Sequence, residues 1–93
     1  MEREAALLLL NEQHTFPGSF HFRAIVRPES KDQVVAAMVS ATGSGSSLSK
    51  VTEKRSSKGS YLALRVELNV EKAEQVLAVY ALLGKHEGVV TSL

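Results

Sequence analysis

Four cations are concentrated in one short stretch of this 93-residue chain, and they surround a single acid, Glu53. The cluster consists of Lys50, Lys54, Arg55 and Lys58. Clustered cations can bind anionic groups such as phosphates. The stretch therefore has two interpretations: a nucleic-acid-binding hairpin over residues 50–58, or a solvated hairpin whose lysines keep the edge of a sheet from pairing with other chains.

The run Ser57-Lys58-Gly59-Ser60-Tyr61 follows this cluster. RNA-recognition domains begin their third strand with a basic residue, a glycine and an aromatic residue, and stack bases on further aromatics. Lys58-Gly59 matches that start, but Ser60 and Leu62 stand where aromatics are needed. The alternative is a turn in which Gly59 takes a positive φ and Tyr61 begins a strand. The second interpretation is favoured, so nucleic acid is not the first expectation for a partner.

Other kinds of site find little support. His14, His21 and His86 lack a metal-ligand spacing, and the chain has no cysteine for thiolate ligation or thiol catalysis. The glycine-serine stretch 43–47 follows a predicted helix and lacks the lysine of a phosphate-binding loop. Arg27 has no glycine-rich cradle of the kind that an acylphosphatase would need. We therefore expect no catalytic site, no metal and no cofactor.

The elements that would position these residues are clearest where hydrophobic residues alternate. Alternation over residues 61–68 predicts a strand whose core face carries Leu62, Leu64, Val66 and Leu68. Its other face carries Tyr61, Ala63, Arg65 and Glu67. Residues 19–27 predict a second such strand, with Phe20, Phe22, Ala24 and Val26 on the core face and His21, Arg23 and Ile25 on the open face.

Two helices and two weaker strands complete the pattern. Ser30 to Gln33 resembles a capping box before a helix that ends near Thr42, with an apolar stripe of Val34, Val35, Met38 and Val39. Residues 42–47 predict a loop, and residues 48–54 an edge strand. Asn69 is the predicted N-cap of a helix over about 70–85, whose stripe is Ala73, Val76, Leu77, Tyr80 and Leu83. A short strand over 89–93 follows.

The order strand, helix, strand, strand, helix, strand predicts an α+β, ferredoxin-like sandwich. Its sheet would have four antiparallel strands, with the first and third in the centre and both helices on one face. We expect a single such domain over residues 16–93, preceded by an N-terminal segment, 1–15, that forms a short helix or turn. The apolar run 5–10 is far shorter than the ~20 residues that span a bilayer, so no membrane association is expected.

Several runs together resemble the YbeD-like family of small bacterial proteins of unassigned function. These runs are Phe16-Pro17, Phe20-His21-Phe22-Arg23, Asp32-Gln33-Val34-Val35, Ser56-Ser57-Lys58-Gly59-Ser60-Tyr61, Glu74-Gln75-Val76 and Tyr80-Ala81-Leu82-Leu83. The resemblance covers roughly residues 15–93 and implies a ferredoxin-like fold similar to the regulatory ACT domains, which bind amino acids. It implies no catalytic residues.

The leading functional hypothesis is a non-catalytic regulatory or binding module that acts through the open face of its sheet. Its ligand would be a small metabolite or a partner protein, and homodimerisation and a cytoplasmic location are further expectations. The net charge of +1 argues against dominant non-specific nucleic-acid binding. The candidate binding residues are Arg23, Ser57, Lys58, Gly59, Tyr61 and Arg65. A nucleic-acid-binding domain that uses the hairpin 50–58 is the alternative.

Overall fold

The structure of the chain is a computed structural model that describes residues 2–43 and 47–92. Helices α1, α2 and α3 span Arg3–Gln13, Lys31–Thr42 and Ala73–Leu83. Strands β1, β2, β3 and β4 span Gly18–Val26, Ser47–Arg55, Leu62–Val70 and Val89–Ser92. A single 3-10 turn, Pro28–Ser30, joins β1 to α2.

The four strands form one antiparallel sheet in the order β2-β3-β1-β4. Strand β1 pairs with β3 along its whole length, from Gly18 opposite Val70 to Val26 opposite Leu62. The two most strongly alternating segments of the sequence are thus the central strands, and β2 lies at an edge. This arrangement confirms the predicted ferredoxin-like sandwich.

The core lies between the sheet and the pair α2 and α3. The even-numbered residues of β1 and β3 point into it, and all eight side chains predicted from alternation are buried. Helix α2 contributes Val34 and Met38, and α3 contributes Val76, Val79 and Leu83. Tyr80 packs its ring edge-on against Phe22, with 5.3 Å between the ring centroids. The strand alternation therefore leaves the odd-numbered side chains on the opposite side of the sheet, which we call the open face.

A β-bulge in the edge strand interrupts the alternation of β2 and keeps Leu48 on the core face. Leu48 pairs with Leu68 and Lys50 with Glu67, so Ser49 is the extra residue. Past the bulge, Val51 returns to the core face opposite Val66, whereas Thr52 and Lys54 join the open face. The three-residue spacing from Leu48 to Val51, which fits no regular strand, results from this bulge.

Of the two predicted helix caps, Ser30 does occupy the N-cap position of α2 but lacks the predicted side-chain bond, and Asn69 is wrong. Ser30 makes no side-chain capping bond; it ends the 3-10 turn in a helical conformation (φ −99°, ψ −2°), whereas an N-cap side chain normally accepts from an extended backbone. Asn69 lies within β3, opposite Ser19, because that strand continues to Val70. Lys72 is the N-cap of α3, so the helix starts about three residues later than predicted and ends at Leu83.

A buried glutamine, Gln75, binds the backbone at the start of α3. The apolar stripe predicted for this helix did not include it. Gln75 accepts backbone N–H bonds from Glu71 (2.5 Å) and Lys72 (3.3 Å) through Oε1. Its Nε2 donates to the carbonyl of Thr42 at 2.9 Å. One side chain thus joins the C-terminal end of α2 to the start of α3. The predicted loop over 42–47 begins after Thr42, which still belongs to α2, and its residues 44–46 lie outside the described part of the chain.

Helix α1 confirms the predicted N-terminal helix. It contacts α3, and Leu10 packs against the core, but Leu8 and Leu9 remain 62% and 41% exposed. His14, directly after the helix, places its ring 4.8 Å from the ring of Phe20. The N-terminal segment therefore packs near the start of β1, and α1 contributes no fully buried residue.

Candidate functional site

The open face is organised in rows that run across the strands, because paired residues of neighbouring strands lie on the same side of a sheet. One row contains Lys50, Glu67 and His21; the next contains Thr52, Arg65 and Arg23; the third contains Lys54, Ala63 and Ile25. Tyr61 and Ser56 follow where the β2–β3 hairpin turns. Of the six predicted binding residues, Arg23 and Arg65 lie on this face, and Ser57, Lys58, Gly59 and Tyr61 lie in or next to the turn at its end.

Arg23 and Arg65 lie directly opposite each other on β1 and β3. The Ser56 N–H donates to the Tyr61 carbonyl at 2.9 Å. Hydrogen-bonded and non-hydrogen-bonded pairs alternate along an antiparallel hairpin. Four pairs on from Ser56 and Tyr61, Arg65 therefore forms its backbone hydrogen bonds with Thr52 of β2. The arginine pair is therefore a non-hydrogen-bonded pair of β1 and β3, the type in which Cα atoms approach to about 4.5 Å and side chains are closest. Like charges placed this way repel each other.

No described residue neutralises these two arginines. Neither side chain has a hydrogen bond or an ion pair within residues 2–43 and 47–92, and both are exposed. Glu67 is the acid that the described strand residues place on this face, and its Oε1 lies 3.2 Å from Nε2 of His21. The other acid of the hairpin, Glu53, points to the helix side and pairs with Lys31, whose pKa is raised by that hydrogen bond.

The basic hairpin 50–58 does not form a single cationic patch. Alternation along β2 places Lys50 and Lys54 on the open face but Arg55 on the core side, opposite Leu62. Arg55 bends back towards the turn, with Nη1 3.5 Å from the Gly59 carbonyl. Lys58 lies at the tip of the turn. The sheet thus separates the four cations and places Lys50 and Lys54 on either side of the arginine row.

The turn itself has the backbone conformation that the glycine predicted. Gly59 has φ +74°, its N–H donates to the Ser56 carbonyl at 2.9 Å, and the hydroxyl of Ser56 accepts from the Tyr61 N–H at 3.2 Å. Ser57 and Lys58 form the exposed tip between these bonds. Gly59 therefore shapes the turn through its backbone, and Lys58 extends beyond the sheet face.

Three shallow depressions join into one trough along the open face. The first, about 160 Å³, lies between His21, Lys50 and Arg65. It shares Thr52 and Arg65 with the next, of about 260 Å³, which also contains Arg23, Ile25 and Ala63. That one shares Ile25, Lys54 and Ala63 with a third of about 360 Å³, which continues to Tyr61 and the turn. The trough thus follows the strand direction and has a cationic section beside an apolar one.

A wider groove of about 640 Å³ lies on the other side of β2, between that strand and α2. Val35, Val39, Leu48 and Val51 line it. The sheet separates this groove from the arginine row, so the groove is not part of the trough on the open face.

The chemistry of the open face is that of its guanidinium and ammonium groups. Within the described residues, no three or more His, Asp or Glu side chains come together in a way that could hold a metal ion. Arg23 and Arg65 instead supply two planar groups that bind carboxylate or phosphate oxygens in a bidentate manner. None of the described helices has the length and apolar character needed to cross a bilayer.

Sequence reasoning named both arginines but missed their opposition and the roles of Thr52, Lys54 and Ile25. Ile25 and Arg23 were placed correctly on the open face. The position of Lys54 depends on the register of the β2–β3 hairpin, which pairs it with Ala63. The bulge at Ser49 places Leu48 on the core face, and the spacing of Leu48 and Val51 was the available signal for it. The opposition of Arg23 and Arg65 depends on strand register, which no local pattern specifies.

The fold and the arginine-bearing sheet define a small α+β sandwich with one covered and one open face. A protein-family model described as "Protein of unknown function (DUF493)" matches residues 11–93. The chain belongs to this family, the YbeD family, which confirms the resemblance seen in the sequence.

Comparison with solved structures supports the fold. The solution structure of the C-terminal domain of the MgtC protein from Mycobacterium tuberculosis superposes with a TM-score of 0.68 at 19% identity. The match covers 87% of this chain and 88% of that domain. Comparison with curated proteins gives no match. At this level of identity, the similarity to the MgtC domain shows a shared fold alone.

Proposed function

We propose that the protein is a non-catalytic binding module that recognises an anionic group on the open face of its sheet. The observation that supports this most strongly is the direct opposition of Arg23 and Arg65 without a compensating acid. Two guanidinium groups this close repel each other in the free protein, and a bound carboxylate or phosphate between them would convert repulsion into two charge-assisted interactions.

The surrounding groups fit an anion better than a neutral ligand. Lys50 and Lys54 flank the arginine row on β2, whereas the acid of the hairpin points to the helix side, where it pairs with Lys31. Glu67 is engaged by His21 at 3.2 Å. The local field on this face is therefore positive although the whole chain has a net charge of only +1.

The proposal includes a regulatory role. The similarity to regulatory ACT domains that the sequence pattern implies supports a module whose occupied face changes the activity of another protein. Two of the individual depressions, of about 160 and 260 Å³, are smaller than the clefts of about 300–1,000 Å³ that bury small molecules, and the third, of about 360 Å³, is at the lower end of that range. A partner protein is therefore the favoured ligand.

The experiment that tests this proposal is affinity capture of partners from nuclease-treated lysate of the source organism by three baits. They are the tagged wild type, the variant Arg23→Gln/Arg65→Gln and the control Lys85→Gln, which removes an exposed cation after α3. We expect a partner that both the wild type and Lys85→Gln recover but that the double variant loses.

Two results would contradict the proposal. Equal recovery by the double variant would show that partners use another surface. If no bait recovers a partner and neither citrate nor phosphate shifts the amide resonances of the open face, anion recognition by this face is wrong. A parallel capture from untreated lysate tests the nucleic-acid alternative, which recovery only without the nuclease would support.

A further inference from the structure

We propose that the trough on the open face receives an extended segment of a partner protein in which an acidic residue and an apolar residue are two positions apart. This inference rests on the proposed function and adds the form of the ligand. The carboxylate would lie between Arg23 and Arg65, and the apolar side chain would lie on Ile25 and Ala63.

The dimensions of the trough support an extended occupant. It follows β3 from Glu67 to Tyr61, which are six residue steps apart, or about 20 Å at about 3.3 Å per step. Its width is set by β1 and β2 on either side, and its depth stays shallow throughout. A compact metabolite would contact one depression, whereas an extended chain of about six or seven residues matches the full length.

The distance between the arginine row and the row of Ile25 and Ala63 determines how far apart the acidic and apolar residues of the partner must be. Ile25 follows Arg23 by two residues on β1, and Ala63 precedes Arg65 by two residues on β3. The cationic and the apolar rows are therefore about 7 Å apart along the strand direction. In an extended peptide, side chains on the same side recur at that distance, at positions i and i+2. Either chain direction satisfies the spacing.

The apolar section has a structural basis in the side chains around it. Ala63 is small and leaves space between Ile25 and the methylene groups of Lys54. Tyr61, 46% exposed, borders the same depression. An apolar side chain seated there would be covered on one side by the tyrosine ring, while the ammonium group of Lys54 remains in water.

An acidic polypeptide fits this surface better than a nucleic acid. Single-stranded nucleic acids bind by stacking successive bases on aromatic side chains. Along this trough, the structure places Ile25 and Ala63 at the centre, with the rings of Tyr61 and His21 at opposite ends. The carboxylate of Glu67 at one end would also repel a continuous phosphate backbone.

The test is a chemical-shift titration of the isotopically labelled full chain with defined probes. The main probe is an acetylated, amidated peptide of about seven residues with the sequence Glu-Ser-Leu at its centre and serines elsewhere. Its matched probes replace Glu with Gln, or place Glu and Leu next to each other. Citrate and an oligothymidylate of similar length test a small anion and a nucleic acid.

We expect saturable shifts of the amides of Arg23, Ala63 and Arg65 with the Glu-Ser-Leu peptide. The Gln peptide and the adjacent-residue peptide should bind at least fivefold more weakly. Arg23→Gln/Arg65→Gln should weaken binding at least tenfold, and Lys85→Gln should leave it unchanged. Ile25→Thr, which keeps a β-branched residue in the strand, should weaken the peptide several-fold without changing the affinity for citrate.

The outcomes separate this inference from the proposed function. Equal binding of the adjacent-residue peptide, no effect of Ile25→Thr, or tighter binding of citrate or oligothymidylate would overturn the extended-segment inference. So would shifts of these same amides on dilution of the free protein, because they would mean that a second copy covers the trough. If Arg23→Gln/Arg65→Gln binds citrate more weakly than the wild type does, the proposal that the open face binds anions stands even when the extended-segment inference fails. No response to any anionic probe would overturn both.

Discussion

Arg23 and Arg65 face each other across the two central strands at the position where side chains of an antiparallel pair come closest. The described residues provide no acid to pair with either of them. The sheet therefore keeps two positive charges together at a cost in stability. The neighbouring row shows the contrasting case, because His21 and Glu67 occupy the equivalent pair position and their side chains meet at 3.2 Å.

Removing one charge of the arginine pair should stabilise the fold. We expect Arg23→Gln or Arg65→Gln to raise the free energy of unfolding by about 0.5 kcal/mol at low salt, since like charges in directly opposed strand positions are destabilising. The second substitution should add little once the first has relieved the repulsion. Urea denaturation in a double-mutant cycle measures both effects, and the gain should shrink at high salt.

Lys85→Gln is the control for this cycle, because it changes the net charge equally and should have little effect. A loss of stability in either arginine variant would contradict the prediction. It would mean that packing of the arginine methylene groups on the sheet outweighs the repulsion.

The buried bridge between α2 and α3 predicts a large effect at Gln75. Replacement by Leu should lower the free energy of unfolding by about 2 kcal/mol, because the Thr42 carbonyl and the Lys72 N–H lose bonds that Gln75 makes. The exposed neighbour Glu74→Gln should have almost no effect in the same denaturation experiment.

A second variant at this position separately tests the bond that Gln75 Nε2 donates to Thr42. Gln75→Glu keeps an acceptor for Lys72 but removes the N–H donor to Thr42 at neutral pH. Its destabilisation should therefore be smaller near pH 4, where a protonated carboxyl again offers a donor. Equal destabilisation at both pH values would contradict the role assigned to Nε2.

Gly88 and Ser30 are predicted to be coupled. A Cβ at position 88 would lie 2.4 Å from the Cβ of Ser30 and 2.6 Å from its Oγ, so Gly88→Ala should cost about 1–3 kcal/mol through overpacking. Ser30→Gly removes both atoms and should recover part of that loss. Thermal or urea unfolding of the two single variants and the double variant measures the coupling, and strict additivity would contradict the close approach.

Burial of Tyr80 predicts a change in stability at alkaline pH. Desolvation raises the pKa of its phenol above the usual value near 10. The unfolded chain, in which this phenol has its ordinary pKa, therefore loses the proton at lower pH than the folded chain does. The stability associated with the neutral form is complete below about pH 10 and is lost as the pH rises through the folded pKa.

Tyr80→Phe should remove this dependence. At pH 7 its free energy of unfolding should be close to that of the wild type, because the ring contacts with Phe20 and Phe22 are kept. At about pH 11 the variant should lose less stability than the wild type. Tyr61→Phe, at the exposed turn, is the matched control. A parallel decline of wild type and Tyr80→Phe would contradict the effect.

The central strands and the core could be predicted from the sequence because strand side chains alternate regardless of what surrounds them. The even-numbered residues from Phe20 to Val26 and from Leu62 to Leu68 are buried as that alternation requires. Helix boundaries were harder to predict from the sequence. Asn69 has the chemistry of an N-cap, but its pairing opposite Ser19 holds it in β3, and a local rule cannot weigh a capping bond against a strand partner that is distant in sequence.

The sequence by itself thus determined the fold class, the two faces of the central strands and the open-face location of Arg23 and Arg65. The tertiary structure alone decided that these arginines oppose each other, that Glu53 turns away to Lys31 and that the register of β2 on β3 brings Lys50 and Lys54 beside them. The physical reason is that alternation is a local property of each strand. Register and bulges arise from pairing between segments that are far apart in the chain.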